Sequence, residues 1–237
     1  MTVKNKVAVI TGASDGLGAV IAHMLAEKGY FVWLLARNEA NLQQVVADIQ
    51  NQGGQAAYAV CDVTSADSVT ASFAQISAQT EKVDLVINNA GVWHSGATSL
   101  ASPEEITRTI NTNLTGLIFV SQTAVKLMTP HASGHIVNVI SNAGVEPNGG
   151  WSIYTASKYG ARGFTDSLRL ELAGSGIKVT GIYPAGISTD LFVKAGLDLP
   201  PGQPWMMPKE DVAAAIVHVI EQPSTIVLDH VEIRQAN

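Results

Sequence analysis

A tyrosine and a lysine four residues apart, Tyr154 and Lys158, are the starting point for chemistry in this sequence. On a helix such a pair lies on one face, one turn apart. A free phenol has a pKa of roughly 10 and is a poor acid or base at neutral pH. A neighbouring ammonium favours the phenolate, so we expect Lys158 to lower the pKa of Tyr154 toward the working range. Because this spacing is common in helices, the pair becomes informative only if the chain also supplies a hydroxyl donor and a site for a hydride carrier.

A glycine-rich turn near the start of the chain predicts such a site. The apolar run Val7–Ile10 is typical of a strand covered on both faces, and 19–28 has the apolar spacing of a helix. Between them, Thr11–Gly18 carries the spacing Gly-x-x-x-Gly-x-Gly. Glycines let a ligand approach the backbone closely, and free N–H groups at a helix N-terminus attract a diphosphate. The turn could merely join strand to helix, but in this context we favour nucleotide binding.

The end of the second predicted strand bears on the kind of nucleotide. The apolar run 31–35 leads into Ala36 and Arg37. NAD-binding units place an acidic residue here to accept hydrogen bonds from the ribose 2′-hydroxyl. A guanidinium instead suits a 2′-phosphate through charge-assisted hydrogen bonds. Arg37 could be an ordinary solvated charge, but we predict NADP(H) in preference to NAD(H).

Polar residues also follow the third and fourth predicted strands. Asp62 and Val63 come after the run 56–60, and we expect them to contact the adenine. Asp62 could also cap a helix that begins around Thr64, and the two roles are compatible. The fourth strand is followed by Asn-Asn-Ala-Gly at 88–91. Ligands of α/β sheets lie at the carboxyl ends of the strands, so a ligand site is favoured over a plain polar turn.

Later segments supply the remaining candidates. Ser102, with a proline and Glu105 after it, has the pattern of a capping box that opens a long helix. Asn113 falls within the apolar stripe of that helix and needs a partner, for which we expect a bound water. Ser141 ends the fifth strand and is the hydroxyl donor. The stretch 191–205 mixes large apolar side chains with glycine and proline, which indicates a mobile lid.

Composition limits the class of protein. The chain has 237 residues, 46% hydrophobic and 14% charged, which predicts one large domain over 1–237. Its net charge of −6, without a Lys/Arg cluster, argues against nucleic acid as a partner. Cys61 is the one cysteine, so we expect a small buried hydrophobe, no disulfide within the chain and a cytoplasmic location. Neither a signal peptide nor a membrane span is apparent, and no His/Cys/Asp/Glu cluster has the spacing of a metal site.

Strands and helices alternate along the whole chain, which predicts an α/β fold with a parallel sheet, right-handed crossovers and helices on both faces. Together the motifs resemble those of the short-chain dehydrogenase/reductase family. The resemblance covers essentially the whole chain and implies a single doubly wound Rossmann domain, with seven strands in the order 3-2-1-4-5-6-7. It also implies a nicotinamide cofactor and a homotetramer or homodimer. The C-terminal stretch 227–234 is similar to the subgroup of NADP-dependent 3-hydroxy acid, serine and carbonyl reductases. The residues that carry the family resemblance are Thr11–Gly18, 88–91, Asn113, Ser141, Tyr154 and Lys158.

The resemblance implies four catalytic residues. Tyr154 would be the acid/base on the substrate oxygen, and Lys158 would lower its pKa while holding the nicotinamide ribose. Ser141 would bond the substrate oxygen and the phenol. Asn113 would hold a water that links Lys158 to solvent.

It also implies a larger set of cofactor contacts. The glycine turn would admit the diphosphate, Asn89 and Ala90 would line the adenosine ribose, and Ile187 and Thr189 would hold the carboxamide and the diphosphate. With Tyr154 and Lys158, the full set is Gly12, Ser14, Asp15, Gly16, Leu17, Gly18, Arg37, Asp62, Val63, Asn89, Ala90, Gly91, Pro184, Ala185, Gly186, Ile187 and Thr189.

Some residues depart from the family pattern. Asp15 stands where many NADP-using relatives have Arg or Lys, which counts against NADP, and Ala185 replaces the usual glycine after Pro184. Trp93, Trp151 and the lid, taken as 187–207, follow no pattern that indicates a substrate. His94, His131 and Glu146 are expected at the surface.

These observations predict reversible hydride transfer between NADP(H) and the carbon of a secondary alcohol or ketone, with Tyr154 moving the proton. One alternative is a 3-oxoacyl-carrier-protein reductase, which should need a basic docking patch near the cleft. The alternative from another class is a non-catalytic NAD(P)-binding sensor or scaffold. Such relatives usually lack Tyr, Lys or Ser from the active set, and all three are present here.

Overall fold

Strands and helices alternate through residues 5–236, the part of the chain that a computed structural model describes. The strands are β1 (Val7–Thr11), β2 (Phe31–Ala36), β3 (Gln55–Val60), β4 (Leu85–Asn88), β5 (Gly134–Val139), β6 (Ile177–Pro184) and β7 (His230–Ile233). The helices are α1 (Gly16–Glu27), α2 (Glu39–Asn51), α3 (Ala66–Ser77), α4 (Pro103–Ile110), α5 (Gly116–Met128), α6 (Ser152–Glu171), α7 (Leu191–Lys194) and α8 (Lys209–Ile220).

All seven strands pair in parallel, in the order β3-β2-β1-β4-β5-β6-β7. Side chains alternate between the two faces of β1, so that Ala8 and Ile10 pack with α1, α2 and α8. Val7 and Val9 pack on the opposite face with α3, α5 and α6. The predicted α/β class, the strand order and the helices on both faces are confirmed. Both faces of the sheet are covered, which explains why its central strands read as continuous apolar runs.

Two predictions about helix starts were wrong. α1 begins at Gly16 rather than at 19. The third helix is capped by Ser65, whose side chain accepts a hydrogen bond from the Ser68 N–H, and not by the residue at 62. Asp62 instead accepts hydrogen bonds from the N–H and hydroxyl of Thr64, at 2.9 and 2.8 Å. The Asp62 carboxylate is therefore engaged in a short local turn and does not cap the helix.

The helix that opens at Ser102 has the predicted capping box, in which Ser102 and Glu105 each bond the other's backbone N–H. It does not continue unbroken into α5. One turn of π-helix, Asn111–Thr115, separates α4 from α5 and contains the buried Asn113. Such turns often occur at functional sites, because the extra residue re-aims a side chain.

A chain of buried polar side chains lies behind the carboxyl end of the sheet. The amide nitrogen of Asn88 donates to Ser121 at 2.9 Å and to Asn138 at 2.8 Å. Asn138 in turn donates to Thr165 on α6, again at 2.8 Å. These bonds tie β4, β5, α5 and α6 together beneath the residues of the candidate site. None of the helices in residues 5–236 has the length and apolar character needed to cross a membrane.

Replacement of the cap residue, Ser102→Ala, should lower the free energy of unfolding by about 1 kcal/mol, because the N-terminus of α4 loses its side-chain hydrogen bond. Urea unfolding followed by circular dichroism measures the change. Ser99→Ala is the control, since Ser99 is exposed and lies three residues before the cap. An equal loss in both variants would contradict the capping assignment.

Candidate active site

Tyr154 and Lys158 lie on the side of α6 that faces the sheet. Both are almost fully buried, with 5% and 6% of their surfaces exposed. The Lys158 ammonium lies over the Tyr154 ring, 5.6 Å from its centroid. The two side chains therefore share one face, as their spacing predicted, and form a buried cation–phenol pair.

Ser141 reaches the same point from the end of β5. Its hydroxyl lies beside the Tyr154 phenol, where it acts to lower the pKa of that group, and it accepts a hydrogen bond from the Ala143 N–H at 3.1 Å. It also donates to the Asn142 side chain at 3.2 Å. A hydroxyl from the end of β5 thus meets a phenol and an ammonium from α6, as the sequence indicated.

The expectation that Lys158 lowers the phenol pKa is wrong for this structure. Burial raises the pKa of Tyr154 to about 12, and the neighbouring Ser141 hydroxyl opposes that rise only in part. Burial also lowers the pKa of Lys158 to about 8. Loss of hydration disfavours the charged form of each group, and here it outweighs their mutual attraction. At pH 7 the phenol is neutral and can donate a proton, while most of the Lys158 side chains remain charged.

Asn113 is bonded to protein groups, although a water was the expected partner. Its side-chain oxygen accepts from the Val92 N–H at 2.8 Å, and its nitrogen donates to the Val92 carbonyl at 2.9 Å. The same nitrogen donates to Ser157 at 3.1 Å, and Ser157 donates to the Tyr154 carbonyl at 2.6 Å. Asn113 therefore joins the loop after β4 to α6. Its implied role in holding a water beside Lys158 stays a prediction.

The sequence reasoning missed Ser157. This residue is fully buried and connects Asn113 to the first turn of α6. Its position one residue before Lys158 and three after Tyr154 places it on the same helix face. That spacing was a signal that could have been used.

The glycine turn packs tightly against the residues after β4. Gly12 has φ +64°, and a Cβ on it would lie 2.8 Å from the Ala90 Cα. A Cβ on Gly18 would overlap the Gly12 carbonyl and the Asn89 amide. Asn89 donates to the carbonyls of Thr11 and Gly12, each at 3.1 Å, so that its side chain holds the turn in place. These positions admit glycine alone without a shift of the backbone.

The start of α1 fits a diphosphate. Asp15 stands at the N-cap position but makes no capping hydrogen bond, and the first turn has no acidic residue. The N–H groups of that turn therefore lack a side-chain acceptor from the cap and suit an anion. The unfavourable charge of Asp15 is offset by Lys194, whose ammonium lies 2.6 Å from its carboxylate. Thr189 stands over the turn, with its methyl 3.6 Å from the Cβ position of Gly16.

Arg37 borders a cleft of about 450 Å³ between the end of β2 and α4. Burial alone would raise the pKa of the nearby Asp62, but hydrogen bonds from Thr64 and the charge of Arg37 leave it below its usual value. Val63 is buried against Gly116 at the start of α5. The cleft is lined by Arg37, Thr64, Pro103, Glu104, Thr107, Arg108, Asn111 and Thr112.

The residues after β6 form the base of the 187–207 segment. The Ala185 N–H donates to the carbonyl of Ile233 at 2.9 Å, so β7 fixes the turn in which alanine replaces the usual glycine. Gly186 and Ser188 exchange backbone hydrogen bonds with Met207, at 2.8 and 2.9 Å. The two ends of the segment are thereby joined.

Four aromatic side chains, Trp93, Trp151, Phe192 and Trp205, form what we call the aromatic wall. The Trp93 ring lies 4.4 Å from the ring of Tyr154, between ring centroids. Phe192 belongs to α7 and is buried, so much of 191–205 packs into a cluster around Tyr154.

Two of the three expected surface residues are at the surface. His131 is exposed, and Glu146 pairs with Arg234 at 2.8 Å. His94 was expected there as well, but it is 8% exposed, because the loop after β4 folds inward beside Trp93. Cys61 is 1% exposed, which confirms it as a buried residue, and burial raises the pKa of its thiol.

A family model for short chain dehydrogenases matches residues 6–199. The chain belongs to the short-chain dehydrogenase/reductase family. It is an oxidoreductase of that family, and its similarity to known members extends along nearly its full length.

Among its relatives is an uncharacterized oxidoreductase of Staphylococcus saprophyticus, 33% identical over 232 residues, which cover 98% of this chain and 97% of that protein. A 3beta-hydroxysteroid dehydrogenase of Mediterraneibacter gnavus is 34% identical over 82% of this chain and 70% of its own length. Among solved structures, an alcohol dehydrogenase of the archaeon Thermococcus sibiricus, complexed with 5-hydroxy-NADP, has a TM-score of 0.90. It is 26% identical, with 98% of each chain covered.

The pKa of Lys158 predicts how stability depends on pH. The unfolded chain holds this proton up to a pKa of 10.5, whereas the folded chain releases it near 8. Stability should therefore rise with pH between these values, because the unfolded state binds more protons there. Below pH 8, Lys158→Met should be more stable than the parent, on the order of 3 kcal/mol, and the difference should shrink as the pH approaches 10.5.

Urea unfolding at pH 7, 8, 9 and 10 measures this difference. Lys126→Met is the control, since Lys126 is exposed. A difference that stayed constant over this range would contradict a buried ammonium at 158.

Proposed function

We propose that this enzyme transfers hydride between NADP(H) and the carbon of a secondary alcohol or its ketone, with Tyr154 as the acid/base. The observation that supports the proposal is the convergence of the buried Tyr154, Ser141 and Lys158 beside an uncapped helix start and a glycine turn. Convergence of a proton donor, a hydrogen-bond donor and a cation is what reduction of a carbonyl group requires.

The cofactor supplies the hydride when bound, and the protein supplies position and charge. In the direction of reduction, the neutral phenol of Tyr154 gives its proton to the substrate oxygen as negative charge develops there. Ser141 donates a hydrogen bond to the same oxygen. In the direction of oxidation, the two residues act in reverse.

Lys158 stabilises the phenolate that remains after proton transfer. Its ammonium lies over the phenol ring, so it acts without moving when the charge appears. The raised pKa of Tyr154 means that this charge is costly in the free enzyme. We infer that bound ligands and the Lys158 charge together offset the cost only during the reaction. Asn113, through Ser157 and Val92, positions α6 against the loop after β4.

Arg37 is the proposed partner of a 2′-phosphate, and NADP(H) is therefore the preferred cofactor over NAD(H). Pairing with Lys194 weakens the objection that Asp15 raises, since the carboxylate charge is locally offset. Gly12, Gly18 and the first turn of α1 hold the diphosphate. The remaining residues implied by the family resemblance keep their proposed cofactor contacts.

The segment 187–207 is proposed to cover the substrate as a lid, hinged where Gly186 and Ser188 bond Met207. Assembly as a homotetramer or homodimer and a cytoplasmic location are further expectations for such an enzyme.

The two alternatives have weaker support. A 3-oxoacyl-carrier-protein reductase should present cations to an acidic partner. Lys194 and Arg234, near the 187–207 segment, are paired with Asp15 and with Glu146, and of the two arginines that line the cleft beside α4, Arg37 is assigned to the cofactor. A sensor without turnover would not need Tyr154, Ser141 and Lys158 together. The alcohol and hydroxysteroid dehydrogenases among the similar proteins are consistent with a small alcohol or ketone as substrate.

Tyr154→Phe removes the proton donor but leaves the ring packed against Trp93. We expect kcat for ketone reduction to fall by about 10²-fold or more, and the Kd for NADPH to stay within about twofold. Absorbance at 340 nm and fluorescence titration measure the two quantities. Tyr159→Phe is the matched control on the same helix, since Tyr159 is 40% exposed and bonds the Val145 carbonyl. Turnover by Tyr154→Phe at the parent rate would rule out this mechanism.

Arg37→Glu should reverse the cofactor preference. Loss of a charge-assisted hydrogen bond, and repulsion of a 2′-phosphate, should lower kcat/KM for NADPH by about tenfold or more relative to NADH. Lys126→Glu makes the same change of charge on α5 and should leave the ratio as it is. If Arg37→Glu also left the ratio unchanged, Arg37 would have no part in choosing the cofactor.

A further inference from the structure

The aromatic wall is in direct contact with the proposed acid/base. Trp93 comes from the loop after β4, and its ring lies 4.4 Å from the ring of Tyr154. Trp151, just before α6, meets Trp93 edge-on at 4.7 Å, and Phe192 of α7 does so at 4.8 Å. Trp205 extends the wall through Phe192, at 5.6 Å between ring centroids. Any substrate that reaches the phenol must therefore contact these rings.

The far end of the wall reaches the proposed cofactor site. Gly186, one of the residues expected to contact the cofactor, lies directly under the Trp205 ring, and a Cβ on it would overlap that ring. The wall therefore extends from the phenol to the end of β6. Its rings are held in offset and edge-on contacts, which aromatic pairs prefer. An aromatic or alicyclic ring on the substrate could pack against these rings with the same contact geometry.

The segments that form the wall offer no unpaired lysine or arginine to an anionic substrate, and their one histidine, His94, is buried. Segments 92–97, 142–151 and 187–207 contain one lysine, Lys194, and no arginine. Lys194 is paired with Asp15 at 2.6 Å. Arg234, which reaches the loop at 146 from beyond β7, is held by Glu146 and Glu232 at 2.8 and 2.7 Å. Burying an unpaired carboxylate against this wall would be unfavourable. Lys158, the remaining cation at the site, is buried beside Tyr154.

Trp93 also has an unused polar group. Its indole N–H is buried and has no hydrogen-bond partner within residues 5–236. An uncharged acceptor on a ligand, such as an ester oxygen, would satisfy it.

We propose that the aromatic wall selects a neutral ketone with a ring beside its carbonyl group, and that Trp93 is the residue that determines this specificity. The proposal rests on the proposed function and names the substrate class for the same site. It disfavours the 3-hydroxy acids and serine that the C-terminal resemblance suggested, because their carboxylate would find no unpaired lysine or arginine in the wall segments.

Four ketones separate the effects of the ring and of the charge. Methyl benzoylformate is neutral and has a ring, benzoylformate has the ring and a carboxylate, and methyl pyruvate and pyruvate are the same pair without the ring. Initial rates of NADPH oxidation give kcat/KM for each. The kcat/KM for methyl benzoylformate should exceed that for methyl pyruvate by about tenfold or more, because apolar contacts of this size contribute that much. Its kcat/KM should exceed that for benzoylformate by a still larger factor, because the carboxylate is costly to bury.

The preference for the ring is the ratio of kcat/KM for methyl benzoylformate to that for methyl pyruvate. Trp93→Ala should reduce this ratio at least about fivefold, mainly by raising KM for methyl benzoylformate, while Trp93→Phe should largely keep it. Leu100→Ala is the control, because Leu100 is 85% exposed and does not belong to the wall. Tryptophan fluorescence is a readout that does not depend on turnover, since three of the four tryptophans of the chain lie in the wall. Methyl benzoylformate should quench this fluorescence at concentrations where benzoylformate does not.

The outcomes distinguish this inference from the proposed function. NADPH oxidation with pyruvate or benzoylformate preferred, or with no effect of Trp93→Ala on the preference, would overturn the inference and leave the function in place. If methyl benzoylformate quenched the fluorescence but none of the four ketones oxidised NADPH, the result would support binding of neutral ring-bearing ketones at the wall. It would contradict the proposed hydride transfer. Neither quenching nor turnover would overturn both.

Discussion

The burial of the Lys158 ammonium is the constraint on which the rest of the site depends. A cation removed from water must be surrounded by groups that tolerate it, and here they come from α6 itself and from the loop after β4. Tyr154 offers its ring face, and a side chain at Gly91 would approach the ammonium to 3.7 Å and the Asn113 oxygen to 3.3 Å. Glycine at 91 therefore leaves room for both the ammonium and the Asn113 side chain, and Ser157 ties Asn113 to α6.

The same burial sets the protonation states that chemistry can use. It moves the phenol and the ammonium toward their neutral forms, so the phenol keeps its proton at neutral pH and the ammonium is only moderately acidic. A site of this kind keeps its proton until a substrate oxygen begins to carry charge. Loss of hydration, more than attraction between the two side chains, sets the pKa values of Tyr154 and Lys158.

Much of the fold could be predicted from the sequence because its signals are local. The apolar runs at β1 and β2, the capping box at Ser102 and the glycine turn each depend on residues that are close in the chain. The strand order and the convergence of Ser141 on Tyr154 came from the resemblance to a family. Three features could not be predicted. The rise in the Tyr154 pKa depends on tertiary burial, the π-helical turn at 111–115 has no apolar signature, and the contact between Phe192 and Trp93 joins residues 99 positions apart.

The hydrogen bonds that fix the candidate site join the π-helical turn, α6, the glycine turn and the loop after β4. Asn113 bonds Val92 and Ser157, and Asn89 bonds the glycine turn. None of these bonds reaches the segment 187–207. Sequence changes at Phe192 and Trp205, the two wall residues in that segment, should therefore reshape the surroundings of Trp93 and leave these hydrogen bonds intact.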